Sequence, residues 1–283
     1  ISIVIAAVFI AGAWIYSANL KSNLSPTASN KAAANLSEIV IPQKGFVLPI
    51  NWGDLGVRLS QTGVIDTEKF EQLLSSRVEF SDDVKKMLYD SDNEKIIINP
   101  ANSDALLNFF WALGLGNKNE ILEKGPMIQY GDAGRFASTG GWTMAKDNPM
   151  MHYNMHRFIE LTPDQQKLVE EVSQNIYRPC CNNPTHFPDC NHGMAMLGLL
   201  ELMASQGASR EKMFEAALKI NGYWFPDQYL TIAKFLKTKG IDWNKSSPEK
   251  ILAKEFSGAS GFQWVSEQVA QPEEREQNGG CAV

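Results

Sequence analysis

The chain has 283 residues, 44% hydrophobic and 20% charged, in the proportions of a folded protein with a sizeable core. Its net charge is −6, and no Lys/Arg stripe or basic run is present to neutralise a row of phosphates. Nucleic acid is therefore not expected as a partner.

Residues Ile1 to Tyr16 (ISIVIAAVFIAGAWIY) are almost wholly apolar. As a helix they reach about 24 Å at 1.5 Å per residue, slightly short of a roughly 30 Å hydrocarbon core. A retained anchor and a cleaved signal peptide compete here. No small-x-small cleavage site follows, because Tyr16 falls at a small-residue position before Ala18, and this favours a transmembrane anchor over 1–18. A buried core helix fits poorly, since the run has no polar face and opens onto a polar stretch. On either surviving reading the rest of the chain is exported, to the periplasmic or cell-surface side if anchored and secreted if cleaved. Residues 19–38, rich in Ser, Asn, Ala and Lys without apolar periodicity, read as a flexible tether.

A helical domain with little strand is expected over 39–270. It opens with an extended piece, where Pro42, Gly45 and Pro49 forbid a helix. Helix starts then recur: Asp66 before TEKFEQLLSS, Ser81 before DDVKKMLYD and Ser103 before DALLNFFWALGLG are all N-cap types ahead of apolar residues at three- and four-residue spacing. Later entries carry Pro just inside the helix, at Asn148-Pro149, Thr162-Pro163, Phe225-Pro226 and Ser247-Pro248. Gly207 and Gly240 suit the left-handed position past a helix end. Only EKIIIN, from Glu94 to Asn99, reads as a strand, and the Gly-rich stretch from Gly125 to Gly141 is a candidate seam. The polar tail over 271–283 reads as mobile and carries Cys281 between Gly-Gly and Ala-Val, where it is either incidental or a thiol on a flexible arm.

The chemistry concentrates between His152 and His192, which span all four histidines and three of the four cysteines. The tightest part runs from Pro179 to Gly193 and holds Cys180, Cys181, His186, Cys190 and His192. Thiolate and imidazole are the ligands that Cu(I) and Zn(II) prefer, and a Pro-punctuated loop can gather them, although the spacing is neither a zinc-finger nor a haem-attachment pattern. Adjacent cysteines pair badly, since a disulfide needs α-carbons about 5.5 Å apart rather than roughly 3.8 Å. Cys180 or Cys181 would pair instead with Cys190 or Cys281. Cys190 and His192 stand at the start of the helix HGMAMLGLLELMASQG, where the dipole lowers a thiol pKa. Upstream, His152 and His156 fall four apart on a helix expected from Asn148, with Met151 and Met155 as a neighbouring pair. Two thioethers beside two imidazoles favour copper over zinc, although a Met stripe, including Met194, Met196 and Met203, is also ordinary core. Asp189 either caps the following helix or orients a ligand imidazole, capping being the commoner role. No Gly-x-Ser-x-Gly elbow, P-loop or dinucleotide fingerprint is present.

Pro179-Cys-Cys, His186, Asp189-Cys190, a helix and the turn from Ala204 to Glu211 ahead of another helix resemble the PCYCGC-type cysteine-rich bacterial lipoproteins. A looser likeness is to CcmH-like thiol proteins, with a Cys pair followed by a helical hairpin. The likeness covers Tyr177 to Asn221. It implies an exported, membrane-tethered protein with a Cys/His site and Cys180, Cys181, His186 and Cys190 as its candidates. Adjacent cysteines here replace the Cys-x-Cys-x-Cys or Cys-x-x-Cys spacing, which weighs against a CcmH-like redox role.

The expectation is a membrane-anchored, extracytoplasmic, mainly α protein that binds copper, or second zinc. Cys180, Cys181 and Cys190 with His186 or His192 form the primary site, and His152 and His156 contribute from the preceding helix. A metal-donor or thiol protein is the expected partner. The rivals are a thiol-disulfide oxidoreductase using Cys190 or the vicinal pair, and a structural or interaction protein with one disulfide.

Overall fold

Short polar side chains that precede apolar-periodic segments cap helices because their oxygens accept the otherwise unpaired first N–H groups. In the computed structural model, which describes residues 26–77 and 81–270, most of the marked starts behave so. Asp66 Oδ1 accepts from Glu68 and Lys69 N–H at the head of Thr67–Arg77, and Ser81 Oγ accepts from Val84 N–H at the head of Asp82–Tyr89. Thr162 forms a reciprocal capping box with Gln165. Ser103 differs: it is the first helical residue of Ser103–Gly116, and Asn102 occupies the cap position without a side-chain bond to the helix N–H groups, its amide bonding Asn99 and Ile97 instead. Gly207 and Gly240 have the expected positive φ of 77° and 71°.

In chain order the helices are α1 (Pro26–Val40), α2 (Leu55–Gln61), α3 (Thr67–Arg77), α4 (Asp82–Tyr89), α5 (Ser103–Gly116), α6 (Glu120–Lys124), α7 (Pro126–Gln129) and α8 (Pro163–Gln174). They continue with α9 (Asn191–Ser205), α10 (Arg210–Trp224), α11 (Pro226–Thr238), α12 (Pro248–Leu252), α13 (Lys254–Ser257) and α14 (Ala259–Ala270). The molecule is mainly helical. Two strands, β1 (Phe46–Asn51) and β2 (Lys95–Ile98), pair antiparallel with Phe46 opposite Ile98 and Asn51 opposite Lys95. β1 is the extended piece of the sequence, now with a partner. Its Pro49 is tolerated because a two-stranded sheet leaves each strand an unpaired edge.

The chain divides into units 1–39 and 40–283, with no division in the Gly125–Gly141 stretch. Of the first unit the structure describes 26–39, all within α1. The latter part of the expected tether is thus helical, with Pro26 at its first position and the strong helix formers Ala32, Ala33 and Ala34 inside. Among the described residues no helix is long and apolar enough to cross a membrane. The segment read as an anchor, 1–18, lies outside them, as does Cys281.

The core of the second unit centres on α5 against α9. Every side chain of α9 from Met194 to Ala204 is buried, including Glu201. The two backbones touch: a Cβ on Gly114 would fall 2.2 Å from Met194 O, and one on Gly198 would fall 2.5 Å from Phe110 O. This crossing fixes α9, and the loop that feeds its first turn carries the thiols.

Candidate metal centre

The loop from Tyr177 to Cys190 has little regular structure, and its neighbours hold it. Tyr177 N–H donates to Leu252 O, Thr185 N–H to Ile176 O, and Ala259 N–H to Cys181 O, while Asn182 Oδ1 accepts from Ser260 N–H and Oγ. Asn221 Nδ2 donates to Tyr177 O and to Tyr229 OH, whose hydroxyl also meets Ser257 Oγ at 2.8 Å in a buried chain beneath the loop.

Cys190, not Asp189, is the N-cap of α9. Its Sγ accepts from Gly193 N–H at 3.4 Å and from Arg178 Nε at 3.0 Å. The sequence reading missed Arg178, which is 1% exposed. Its remaining donors reach Asn183 O (3.1 Å), Phe187 O (3.3 Å) and Asp189 Oδ1 (2.9 Å), and Asp189 Oδ2 accepts from Asn183 Nδ2 at 2.8 Å. Asp189 therefore orients a guanidinium instead of capping a helix or holding an imidazole. Gly193 makes room: a Cβ there would lie 2.4 Å from Arg178 Nη2.

The donors converge at this point. Cys180 Sγ lies 3.7 Å from Cys190 Sγ, and the donor atoms of Cys180, Cys190 and His192 all fall within 4.8 Å of one another. Cys181, Asp189 and Cys190 form a second such group sharing Cys190. The three cysteines are free thiols; Cys180 is exposed and the other two half-buried. His192 packs against Phe225 (4.4 Å between ring centres) and Trp224 (5.8 Å).

Hydrogen bonds from Cys180 and Cys181, with help from His192 and the Arg178 charge, hold the Cys190 thiol far below the usual range despite burial. The proton stays with Cys180, whose pKa is pushed up by its bonds to Cys181 and Cys190 and by burial. Cys181 is also raised: its bond with Cys180 works the other way, but the bond with Cys190 and burial outweigh it. Burial works against the Arg178 charge, and the Cys190 sulfur beside it more than restores it. Arg178 is matched by Asp189 at 2.9 Å, so a thiolate at Cys190 would leave the site with net negative charge, which favours a bound cation.

The other predicted ligands are elsewhere. His186 turns to the end of α8, its N–H on Ser173 O (3.0 Å) and its Nδ1 3.4 Å from Ser173 Oγ, and burial lowers its pKa. Among the described residues it joins no ligand group. The helix expected from Asn148 is one 3-10 turn, Pro149–Met151, although Asn148 Oδ1 does cap it. The turn ends because the next residues pair with the C-terminal end of α5: Asn154 takes φ 58° with its N–H on Leu115 O, and His156 N–H donates to Gly116 O at 2.8 Å. His152 and His156 still meet, Nδ1 to Nε2, at 3.1 Å. They do so where the backbone of His156 bridges to Asn117, whose Nδ2 donates to Glu201. That carboxylate is ten residues along α9 from Asn191, about 15 Å at 1.5 Å per residue. The histidine pair and the thiols do not share a centre.

No family model, curated protein or solved structure matches the chain. What the structure offers is a set of Cys and His side chains close enough together that they could hold a metal ion, on a mainly helical scaffold.

Proposed function

We propose that this chain binds a thiophilic metal ion at Cys180, Cys190 and His192, with Cys181 beside Cys190 as a further thiolate. One observation carries the reading: two sulfurs and an imidazole nitrogen from separate parts of a fixed loop and helix start lie within 4.8 Å of one another. Sulfurs 3.7 Å apart subtend about 107° at an ion with bonds of about 2.3 Å, close to the tetrahedral angle.

Zinc takes precedence over copper(I) at this site. The methionines that favour copper in the sequence do not serve it: Met194, Met196 and Met203 are buried core, and Met151 and Met155 flank the separate histidine pair. What remains is the thiolate and imidazole set of zinc sites. Holding or passing on the ion is the role, with a metal-donor or thiol protein as partner. The apolar run 1–16 and the resemblance to PCYCGC-type lipoproteins support an exported domain tethered by that run.

Elemental analysis of protein purified under reducing conditions tests the reading. About one equivalent of zinc is expected in the wild type and in His186→Ala, and none in Cys180→Ser or His192→Ala. A metal-free wild type sinks it. Arg178 Nε on Cys190 Sγ favours a second reading, thiol-disulfide exchange. In it the Cys190 thiolate attacks a partner disulfide and expels one partner thiolate; Cys180 Sγ, deprotonated, then attacks Cys190 Sγ and expels the other. A metal-free protein that reduces a disulfide substrate stoichiometrically, and loses this with Cys190→Ser, would establish it.

A further inference from the structure

The segment 149–156 carries donors that the thiol site does not use. His152 Nδ1 and His156 Nε2 face each other at 3.1 Å, with the rings stacked 5.3 Å apart. Two lone pairs at that separation repel, so either a proton or a cation lies between them. With metal–nitrogen bonds of about 2.0–2.1 Å, the same separation subtends an angle of about 100° at an ion, which a tetrahedral site accommodates.

The pair is set before any ligand arrives. His156 is fixed through N–H to Gly116 O and through its carbonyl, which accepts from Lys118 N–H at 2.7 Å. Between the two histidines Asn154 adopts the left-handed backbone conformation and its Oδ1 accepts from Asn119 N–H at 2.7 Å. His152 is buried, and its Nε2 has no hydrogen-bond partner. No contact at that nitrogen therefore pins the ring to one tautomer. Burial lowers the pKa of both rings, with Asp147 opposing it at His152 and His152 adding to it at His156. Neutral imidazole is the form that ligates a metal.

The neighbours decide which ion. Among the described residues no third His, Cys, Asp or Glu donor completes a group with this pair, so an ion that needs an anionic ligand is poorly served. Met151 and Met155, each one residue before a histidine of the pair, are 66% and 64% exposed, more than any other large non-aromatic hydrophobic side chain among the described residues. They add little to packing, and their thioethers are soft ligands that suit Cu(I) and not zinc. We infer that His152 and His156 form a second metal site, separate from the thiols, that takes Cu(I) with a thioether of Met151 or Met155.

Two measurements on the full chain test it. Cu(I) titrated anaerobically against a chromogenic Cu(I) chelator should load the wild type with one equivalent more than either His156→Ala or the double variant Met151→Leu/Met155→Leu. Should a variant fail to fold, the wild type still answers: in nitrogen-15 spectra the imidazole nitrogens of His152 and His156 should shift with Cu(I) and stay in place with Zn(II). Equal stoichiometry in folded variants, or imidazole nitrogens that ignore Cu(I), would leave a shared proton between the rings and overturn the site. Zinc bound at Cys180 and Cys190 has no bearing on either result, so this inference and the thiol-site reading fail independently.

Discussion

The three thiols set one another's state, with Arg178 in support. Hydrogen bonds from Cys180 and Cys181 favour Cys190 as the ionised member of the trio, and the buried guanidinium 3.0 Å from its sulfur adds to them. The depressed pKa of Cys190 has two consequences. The group stabilises the fold fully above the unfolded thiol value of about 8.5, and that contribution is lost as pH falls through the folded value. Alkylation of Cys190 by iodoacetamide in the metal-free protein should also stay nearly constant from about pH 8.5 to 6, whereas an ordinary thiol slows roughly tenfold per unit. Cys180→Ala, which removes the largest of the bonds to Sγ, should steepen the slope most, and Arg178→Lys, which removes the Nε donor and the fork that grips Asp189, should steepen it less. A Cys190 rate that falls tenfold per unit in the wild type would contradict the assignment. The gathering of Cys180, Cys190 and His192 was legible in the sequence, because ligand types crowded into a Pro-rich loop have few other places to go. Arg178 was not, since a charge beside a turn looks solvated until its burial is known. The nearest signal was Arg-Pro-Cys-Cys followed by Asp-Cys, opposite charges bracketing the thiols.

At the scale of elements, caps and prolines located helices well because they act within four residues of themselves. The histidine segment shows where that locality ends. Asn148 caps as expected, but Asn154 and His156 spend their backbone groups on α5, a long-range pairing that four-residue spacing cannot reveal. Pairing of β1 with β2 was hidden for the same reason. Gly114 and Gly198 had a legible anomaly, glycine inside apolar helices, and the structure supplies its cause in the close crossing of α5 and α9. Gly198→Ala should test this: its Cβ would meet Phe110 O at 2.5 Å and Gly114 N at 2.6 Å, both backbone atoms with little freedom to move. A loss of about 1–3 kcal/mol is expected from urea unfolding, as for other overpacked cores. Because α9 carries Cys190 and His192 at its first turn, metal affinity should fall with it. Full stability in this variant would mean that the helices do not cross so closely.

For the molecule as a whole, Glu201, a carboxyl in the middle of the apolar helix α9, works against Cys190 in the pH dependence of stability. The lone charge in LLELMA is visible in the sequence, but only burial shows that it stays inside. One of its oxygens accepts from Asn117 Nδ2 at 2.8 Å and the other has no partner. Burial pushes its pKa up to about 8, with Asn117 and Asn119 opposing. For an acid raised in the folded state, the sign runs against the usual carboxylate. Below the unfolded value near 4.5 both states hold the proton and nothing is lost. Between that value and about 8 only the folded chain holds it, so the contribution of Glu201 to stability falls by about 1.4 kcal/mol per pH unit and then levels off. By pH 7 the accumulated loss is about 3 kcal/mol. Glu201→Gln keeps an acceptor for Asn117 and removes the titration. Urea unfolding in the presence of a chelator should therefore show the variant gaining on the wild type steadily from pH 5 to 8, by a few kcal/mol at the upper end, with the two curves meeting near pH 4.5. Curves that run parallel across this range would mean that Glu201 is ionised inside the fold, held by a partner other than the asparagines.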